Sequence, residues 1–365
     1  MFERKVKPPE GPILFDRISK SGCKRVAVLG LHPGAGTRTV VASLVREMHR
    51  RGVPFALSSA PRLPFEMEDD LSSKPVTRMA VPEGAWIATA EGTVEGGDLD
   101  VEHRESTSWE TPLGNVGIFR VLRGGEIDLH GPGEAMAMQA IIDRLVALSG
   151  GTVVVDGGWE RRAFAAPGVS DGIVLVLGAG YSPSPDRSAA AARYIVETLS
   201  VTPCDESARS AWEATGKQGA AALLDARGRS VGVLPPGLDD PVLALDTPGS
   251  VPVATVVLPH GLNDEFMIPL VRSQFRCTLV VRDSTRINVA PVYFKAWLKG
   301  KGRIQVVRPA RILAVATNPR NAAGPDADPT EFRQTVARTL PDLPVHDVVL
   351  ESGEETRKPV WRFWE

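Results

Sequence analysis

The sequence predicts an α/β protein: a mainly parallel sheet flanked by helices, with a smaller C-terminal α/β domain. Three observations carry that expectation. Short apolar, β-branched runs alternate with segments of helical periodicity along most of the chain. Near the N-terminus an apolar run, a glycine-rich turn and an amphipathic helix follow one another over Val26–Arg51. Further on, an apolar run ends in Asp156 and is followed by two glycines, Gly157 and Gly158.

Taken in order, the expected strands are Arg25–Gly30, Pro54–Ser58, Val116–Val121, Thr152–Asp156, Gly172–Leu177, Val253–Pro259, Thr278–Arg282, Ile304–Val307, Ile312–Thr317 and His346–Leu350. The expected helices are Thr37–Arg51, Glu134–Leu148, Ser188–Leu199, Asp264–Ser273, Val292–Lys299 and Thr330–Leu340. The segment Ser207–Pro252 is richer in Gly, Pro and Asp, and Pro235–Pro236–Gly237 marks a break. The resulting division is an N-terminal extension over residues 1–24, a large domain over 25–250, a C-terminal α/β domain over 251–350 and an aromatic tail over 351–365.

A chain of 365 residues is long enough for two domains with sizeable cores. Its 42 basic and 44 acidic side chains nearly cancel, which argues against a polyanion such as nucleic acid as partner. The three cysteines, Cys23, Cys204 and Cys277, are scattered, which argues against a disulfide framework or a structural zinc. The longest apolar run, Ile173–Ala179, is too short to span a bilayer, and the first residues have no signal-peptide pattern. These features predict a soluble, reduced, cytoplasmic protein.

The stretch VAVLGLHPGAGTRTV over Val26–Val40 has the layout of a phosphate-binding loop. A strand, a glycine turn and a helix start bring backbone N–H groups and the positive helix end together around an anion. Gly34, Ala35, Gly36, Thr37, Arg38 and Thr39 are therefore the candidate nucleotide-binding residues. The usual loop has a lysine and then a Ser/Thr after its last glycine; here those places hold Thr37 and Arg38. Two alignments are open. In one, His32 and Thr37 stand where a variant pattern has two lysines, and Thr39 keeps the final threonine. In the other, a one-residue slip makes Arg38 the phosphate cation and Thr39 the Mg²⁺ hydroxyl. A neutral threonine cannot neutralise a β/γ-phosphate as lysine does, so the first alignment implies poor hydrolysis. A strand–turn–helix without any ligand is the plain alternative.

Asp156, at the end of an apolar strand, is the candidate acidic partner, holding Mg²⁺ directly or through water together with Thr39. It reads equally as an Asp that opens a tight turn. Secondary candidates are Gly157, Asp171 before the next strand, Thr89 in a segment with Glu91 and Thr93, and His260 beside Gly261. The six basic residues of Lys295–Arg311 read as a solvated face. Trp361, Phe363 and Trp364 in the tail suggest docking onto a partner or back onto the domain.

Several stretches together resemble a known family. They are VAVLGLHPGAGTRT at 26–39, PEGAWIATAEG at 82–92, ETPLGNVGIFRV at 110–121, VVVDGGWERRAFAAPGVSDGIVLVLGA at 153–179, LPHGLNDEFMIPLV at 258–271, VVRDSTRINV at 280–289 and VRPARILAVATNP at 307–319. Over about residues 25–350 the chain resembles the small P-loop subunits of lysine 5,6-aminomutase reactivases, within the SIMIBI-type P-loop NTPases that also include dethiobiotin synthetase. Gly34, Gly36 and Thr39 match that family's phosphate loop, and Asp156 and Gly157 match its acidic strand end. The family pattern has Lys then Thr where this chain has Thr37 and Arg38.

The resemblance implies a P-loop NTPase-like fold and an accessory role beside a MutS-like ATPase subunit, acting on a cobalamin-dependent aminomutase. It implies ATP or GTP with Mg²⁺ as ligand, and cobalamin only through the partner. An active ATPase, GTPase or ATP-dependent ligase of the dethiobiotin-synthetase type is one alternative. A nucleotide-free scaffold is another.

Overall fold

The structure is a computed structural model and describes residues 13–61, 78–158, 161–216, 219–234, 242, 245, 251–321 and 324–352. The chain forms two compact units, one of residues 1–193 with 312–365 and one of residues 194–311.

The larger unit begins with α1 (Leu14–Ser21), β1 (Arg25–Gly30), α2 (Thr37–Arg50), β2 (Phe55–Ser59) and β3 (Met79–Val81). It continues through β4 (Trp86–Ala90), α3 (Glu91–Glu95), β5 (Asp100–Thr111), β6 (Gly114–Arg123), β7 (Gly125–Ile127), α4 (Ala135–Ser149), β8 (Thr152–Asp156) and β9 (Gly172–Gly178). Helix α5 (Pro185–Leu199) leads into the smaller unit. There follow α6 (Glu206–Thr215), β10 (Ala221–Leu224), β11 (Ser230–Leu234), β12 (Thr255–Val257), β13 (Leu262–Asn263), α7 (Asp264–Arg272), β14 (Thr278–Asp283), β15 (Ile287–Asn288), α8 (Pro291–Lys299) and β16 (Arg303–Arg308). The chain then returns to the larger unit with β17 (Ile312–Asn318), α9 (Pro329–Thr339), β18 (Val345–His346) and α10 (Val348–Ser352).

The larger unit is a nine-stranded sheet in the order β18-β17-β9-β1-β8-β2-β4-β6-β5. It is parallel from β18 to β4 and ends in the antiparallel β6 and β5. Helices cover both faces. On one, α2 buries Val40, Val41, Leu44, Val45 and Met48 in a core with Val26, Val28, Val154 and Val174. On the other, α4 buries Met138, Ile141, Ile142 and Leu145 with Ala56, Ala88, Val153 and Val155. The alternation of Val153, Val154 and Val155 between the two cores is the period-two geometry of a strand buried on both sides. The smaller unit has a five-stranded sheet in the order β11-β10-β12-β14-β16, parallel across β12, β14 and β16. Among the described residues, no helix is long and apolar enough to cross a membrane.

Two expected boundaries are corrected. Residues 1–24 are not wholly an extension, because α1 buries Leu14, Phe15 and Ile18 in the main core. At about 1.5–3 kcal/mol for each such side chain, that helix belongs to the fold. The expected break near residue 250 is also displaced. The smaller unit spans 194–311 and is internal, because β17 pairs in parallel with β9 and rejoins the first sheet. Strand β5 was not expected, because only Val101 and Trp109 interrupt its polar run; it is an edge strand paired along β6 and guarded by charge, as in the Asp100–Arg123 pair. The expected strand His346–Leu350 is a two-residue strand followed by α10. Pro235–Pro236–Gly237 and the aromatic tail from residue 353 lie outside the described residues.

Asp347 starts α10. Its Oδ1 accepts the N–H groups of Val349 and Leu350 at 3.0 and 3.1 Å, while its buried Oδ2 has no hydrogen-bond partner among the described residues. Burial pushes this carboxyl up to about 6, from an ordinary value of 3.8. Between those values the folded state holds a proton that the unfolded state has lost, so stability falls as pH rises through the window. Asp347→Asn keeps the Oδ1 acceptor and removes the titration. On going from acid to neutral pH, the variant is expected to gain up to about 3 kcal/mol relative to the parent. Denaturant melts of both proteins at the two pH values check this; parallel pH profiles would refute it.

Candidate functional site

The glycine loop leaves the carboxyl end of β1 and is fixed to the strands on either side. The Gly30 N–H donates to Gly158 O at 2.8 Å, and the Leu31 N–H donates to Val176 O at 2.9 Å. His32 is buried, and its Nε2 accepts the Gly178 N–H at 3.1 Å. Its Nδ1 lies 2.7 Å from Pro33 O, and its Nε2 lies 3.1 Å from Gly178 O. Burial holds the imidazole below its ordinary pKa. His32 is therefore a neutral staple between the loop and the end of β9, not a substitute cation. Asn318, at the end of β17, donates from Nδ2 to Ala35 O at 3.2 Å and packs against Gly36.

Gly34 and Gly36 have φ of +69° and +101°, in the region that favours glycine. Helix α2 starts directly after Gly36, and its first ladder bond runs from the Val40 N–H to Gly36 O at 3.3 Å. The N–H groups of Gly36, Thr37, Arg38 and Thr39 precede that ladder and have no carbonyl within the helix. Together with the positive end of a 14-residue helix they form an anion-receptive corner.

The acidic strand end lies beside it. Strands β1 and β8 are direct neighbours, with Val28 opposite Asp156. The Gly157 N–H donates to Val28 O at 2.9 Å, and the Ala60 N–H donates to Asp156 O at 2.7 Å. The Asp156 carboxylate is 5 % exposed, and its Oδ1 accepts the Gly158 N–H at 3.2 Å. Its Oδ2 faces the Arg38 Nε at 3.8 Å. The Arg38 Nη2 in turn donates to Asp128 Oδ1 at 3.0 Å. The guanidinium thus stands between two carboxylates, with Asp128 the closer.

The fit of Mg²⁺ to Asp156 and Thr39 follows from that contact. A divalent cation and the guanidinium would compete for the same carboxylate oxygen. Mg²⁺ also demands near-octahedral oxygen ligation, and the other Asp156 oxygen already accepts the Gly158 N–H. The residues as arranged do not fit a Mg²⁺ centre. Among the described residues, no cluster of three or more His, Cys, Asp or Glu is placed to hold a metal.

The remaining candidates are dispersed. Thr89 lies within β4, fully buried, and its hydroxyl accepts the His130 N–H at 2.8 Å and contacts Thr93 Oγ1 at 2.8 Å. Asp171 precedes β9 at the opposite edge of the sheet from the loop, roughly 20 Å away by the rise of a seven-residue strand. Its Oδ2 accepts the N–H groups of Lys24 and Arg25, both at 3.0 Å, so it secures the start of β1. His260 belongs to the smaller unit. The basic side chains of Lys295–Arg311 are all exposed, flanking the buried Phe294 and Trp297.

Sequence reasoning missed Asp128 and Asn318. Asn318 carried a usable signal, a polar residue ending an apolar strand, where open α/β sheets present side chains to ligands. Asp128 carried none, since its approach to Arg38 depends on the tertiary path after β7. Comparison with protein-family models, with curated proteins and with solved structures gave no match.

A Cβ at residue 36 would meet Asn318 Nδ2 at 2.5 Å, in addition to the strain of φ +101°. Gly36→Ala is expected to lower stability by about 1–3 kcal/mol. Adding Asn318→Ala is expected to recover the steric part and leave the backbone part. Thermal melts of the two single variants and the double variant check this, and strict additivity would refute the clash.

Proposed function

We propose that this chain is a cytoplasmic accessory subunit with a P-loop NTPase-like larger unit, which takes the phosphates of ATP or GTP at its glycine loop with weak or absent hydrolysis. Bound nucleotide favours one conformer of the loop, and a partner enzyme prefers that conformer over the other. The observation that carries this reading is the corner where the N–H groups of Gly36–Thr39, which precede the helical ladder, lie beside Asp156. Arg38 is the only lysine or arginine between Gly30 and Thr39, so it supplies the loop's positive charge. Resemblance supports a cobalamin-dependent aminomutase and a MutS-like ATPase subunit as partners, with cobalamin reached only through them. Pull-down of either partner tests that part.

A second reading, a nucleotide-free scaffold, is favoured by the same loop's internal ties. His32 to Gly178, Asn318 to Ala35 and Arg38 to Asp128 hold the loop in place with protein groups alone.

Calorimetric titration with ATP and GTP, with and without Mg²⁺, separates the two. The first reading expects saturable binding that changes little on removing Mg²⁺, because Arg38 already neutralises Asp156. Thr37→Lys is expected to tighten binding about tenfold, the effect of one added charge-assisted hydrogen bond. No binding at millimolar nucleotide would retire it in favour of the scaffold. Turnover that disappears in Asp156→Ala would replace both with an active NTPase or ligase.

A further inference from the structure

We infer that the smaller unit carries an oxyanion-binding cleft of its own, which takes a small organic molecule through a carboxylate or phosphate group. The cleft has a volume of about 510 Å³ and is lined by Trp212, Glu213, Gly216, Pro259, His260, Arg282 and Arg286. That size falls within the range of small-molecule sites, about 300–1,000 Å³.

Its position follows from the topology. Strands β12 and β14 run parallel as neighbours, and Pro259–His260 and Arg282–Arg286 lie at their carboxyl ends. Ligands of open α/β sheets bind at such ends. The two loops are joined to each other, since β13 pairs in parallel with β15 through Leu262 and Ile287. Gly261 permits this approach: a Cβ there would meet Arg286 O at 2.7 Å. His260 and Arg286 are thereby held at one rim.

The two arginines that line the cleft keep unspent donors. Asp283 is 1 % exposed and accepts the Arg282 Nε–H at 2.7 Å, the Thr285 N–H at 3.1 Å and the Thr285 hydroxyl. That pairing engages one side of the Arg282 fork, and its terminal nitrogens have no bonded partner among the described residues. Arg286 is exposed and has no bonded partner among them either. The third wall is α6, where Trp212 Nε1 is buried without a hydrogen-bond partner among the described residues. A buried indole N–H normally finds an acceptor. Asp283 balances the Arg282 charge, so the cleft's preference for an oxyanion rests on the unspent terminal N–H groups of Arg282 and on Arg286, set against the single lining carboxylate of Glu213.

The test uses the full chain with ¹⁵N-labelled tryptophan. The Trp212 indole resonance is assigned by its loss in Trp212→Phe. Inorganic phosphate and benzoate are then titrated separately at constant ionic strength. The expected result is a saturable shift of that resonance with at least one anion; the responding anion identifies the group bound. Arg286→Gln is expected to weaken the response about tenfold, with Arg286→Lys intermediate because it keeps charge and loses the fork. Arg286 is exposed, so an unchanged melting temperature verifies that these variants fold. No shift with either anion at tens of millimolar would overturn the proposal. So would equal affinity in Arg286→Gln. Neither outcome bears on nucleotide binding at the glycine loop.

Discussion

The parallel pairing of β1 with β8 is the constraint on which the larger unit's site depends. It sets Val28 opposite Asp156, so the strand that feeds the glycine loop and the strand that ends in the carboxylate finish together. The chain then secures the join with backbone bonds in both directions, Gly157 N–H to Val28 O and Gly30 N–H to Gly158 O. Burial of both strands on both faces makes the register costly to change. A one-residue slip would exchange Val153 and Val155 with Val154 between two different cores. The core side chains thus fix where the loop begins, and the contacts of His32 and Asn318 fix its course.

Much of the fold was legible because parallel strands buried on both sides have a simple signature. Arg25–Gly30 and Thr152–Asp156 are read off the sequence as continuous apolar runs with the bounds they have in the structure. The helices that followed had clean apolar faces, as Val40, Val41, Leu44, Val45 and Met48 do in α2. What was hidden depends on partners rather than periodicity. Strand β5 is polar apart from Val101 and Trp109, and its pairing with β6 could not be read from that pattern. The run Ile312–Asn318 looks the same whichever sheet it joins, so the return of the chain to β9 could not be seen. In the site, the glycines and Asp156 were visible, whereas the neutral role of His32 and the Arg38–Asp128 contact were not. Both are products of burial and tertiary path.

The two units treat their cations differently, and that difference governs how each would meet an anion. In the larger unit Arg38 is already shared between Asp128 and Asp156, with about a quarter of its side chain exposed. An anion arriving at the start of α2 must draw the guanidinium away from at least one carboxylate. A partly exposed pair of this kind is worth no more than about 1 kcal/mol, so the exchange is feasible. The remaining carboxylate nonetheless lies close to the incoming charge. With Asp156 at 3.8 Å from the guanidinium, relief of that repulsion needs Arg38 to stay near both. A lysine at position 37 would add a charge without removing this one, whereas threonine leaves Arg38 to serve two opposing demands. That conflict is the physical reason the loop suits a weak, switchable contact better than tight binding and turnover. In the smaller unit, Asp283 engages Arg282 through Nε alone and leaves the end of the fork unspent, and Arg286 has no bonded partner among the described residues. An anion there gains its hydrogen bonds without first breaking an ion pair. On electrostatic grounds the smaller cleft is the better prepared of the two for a simple oxyanion, and the glycine loop is the one whose occupancy would change protein contacts.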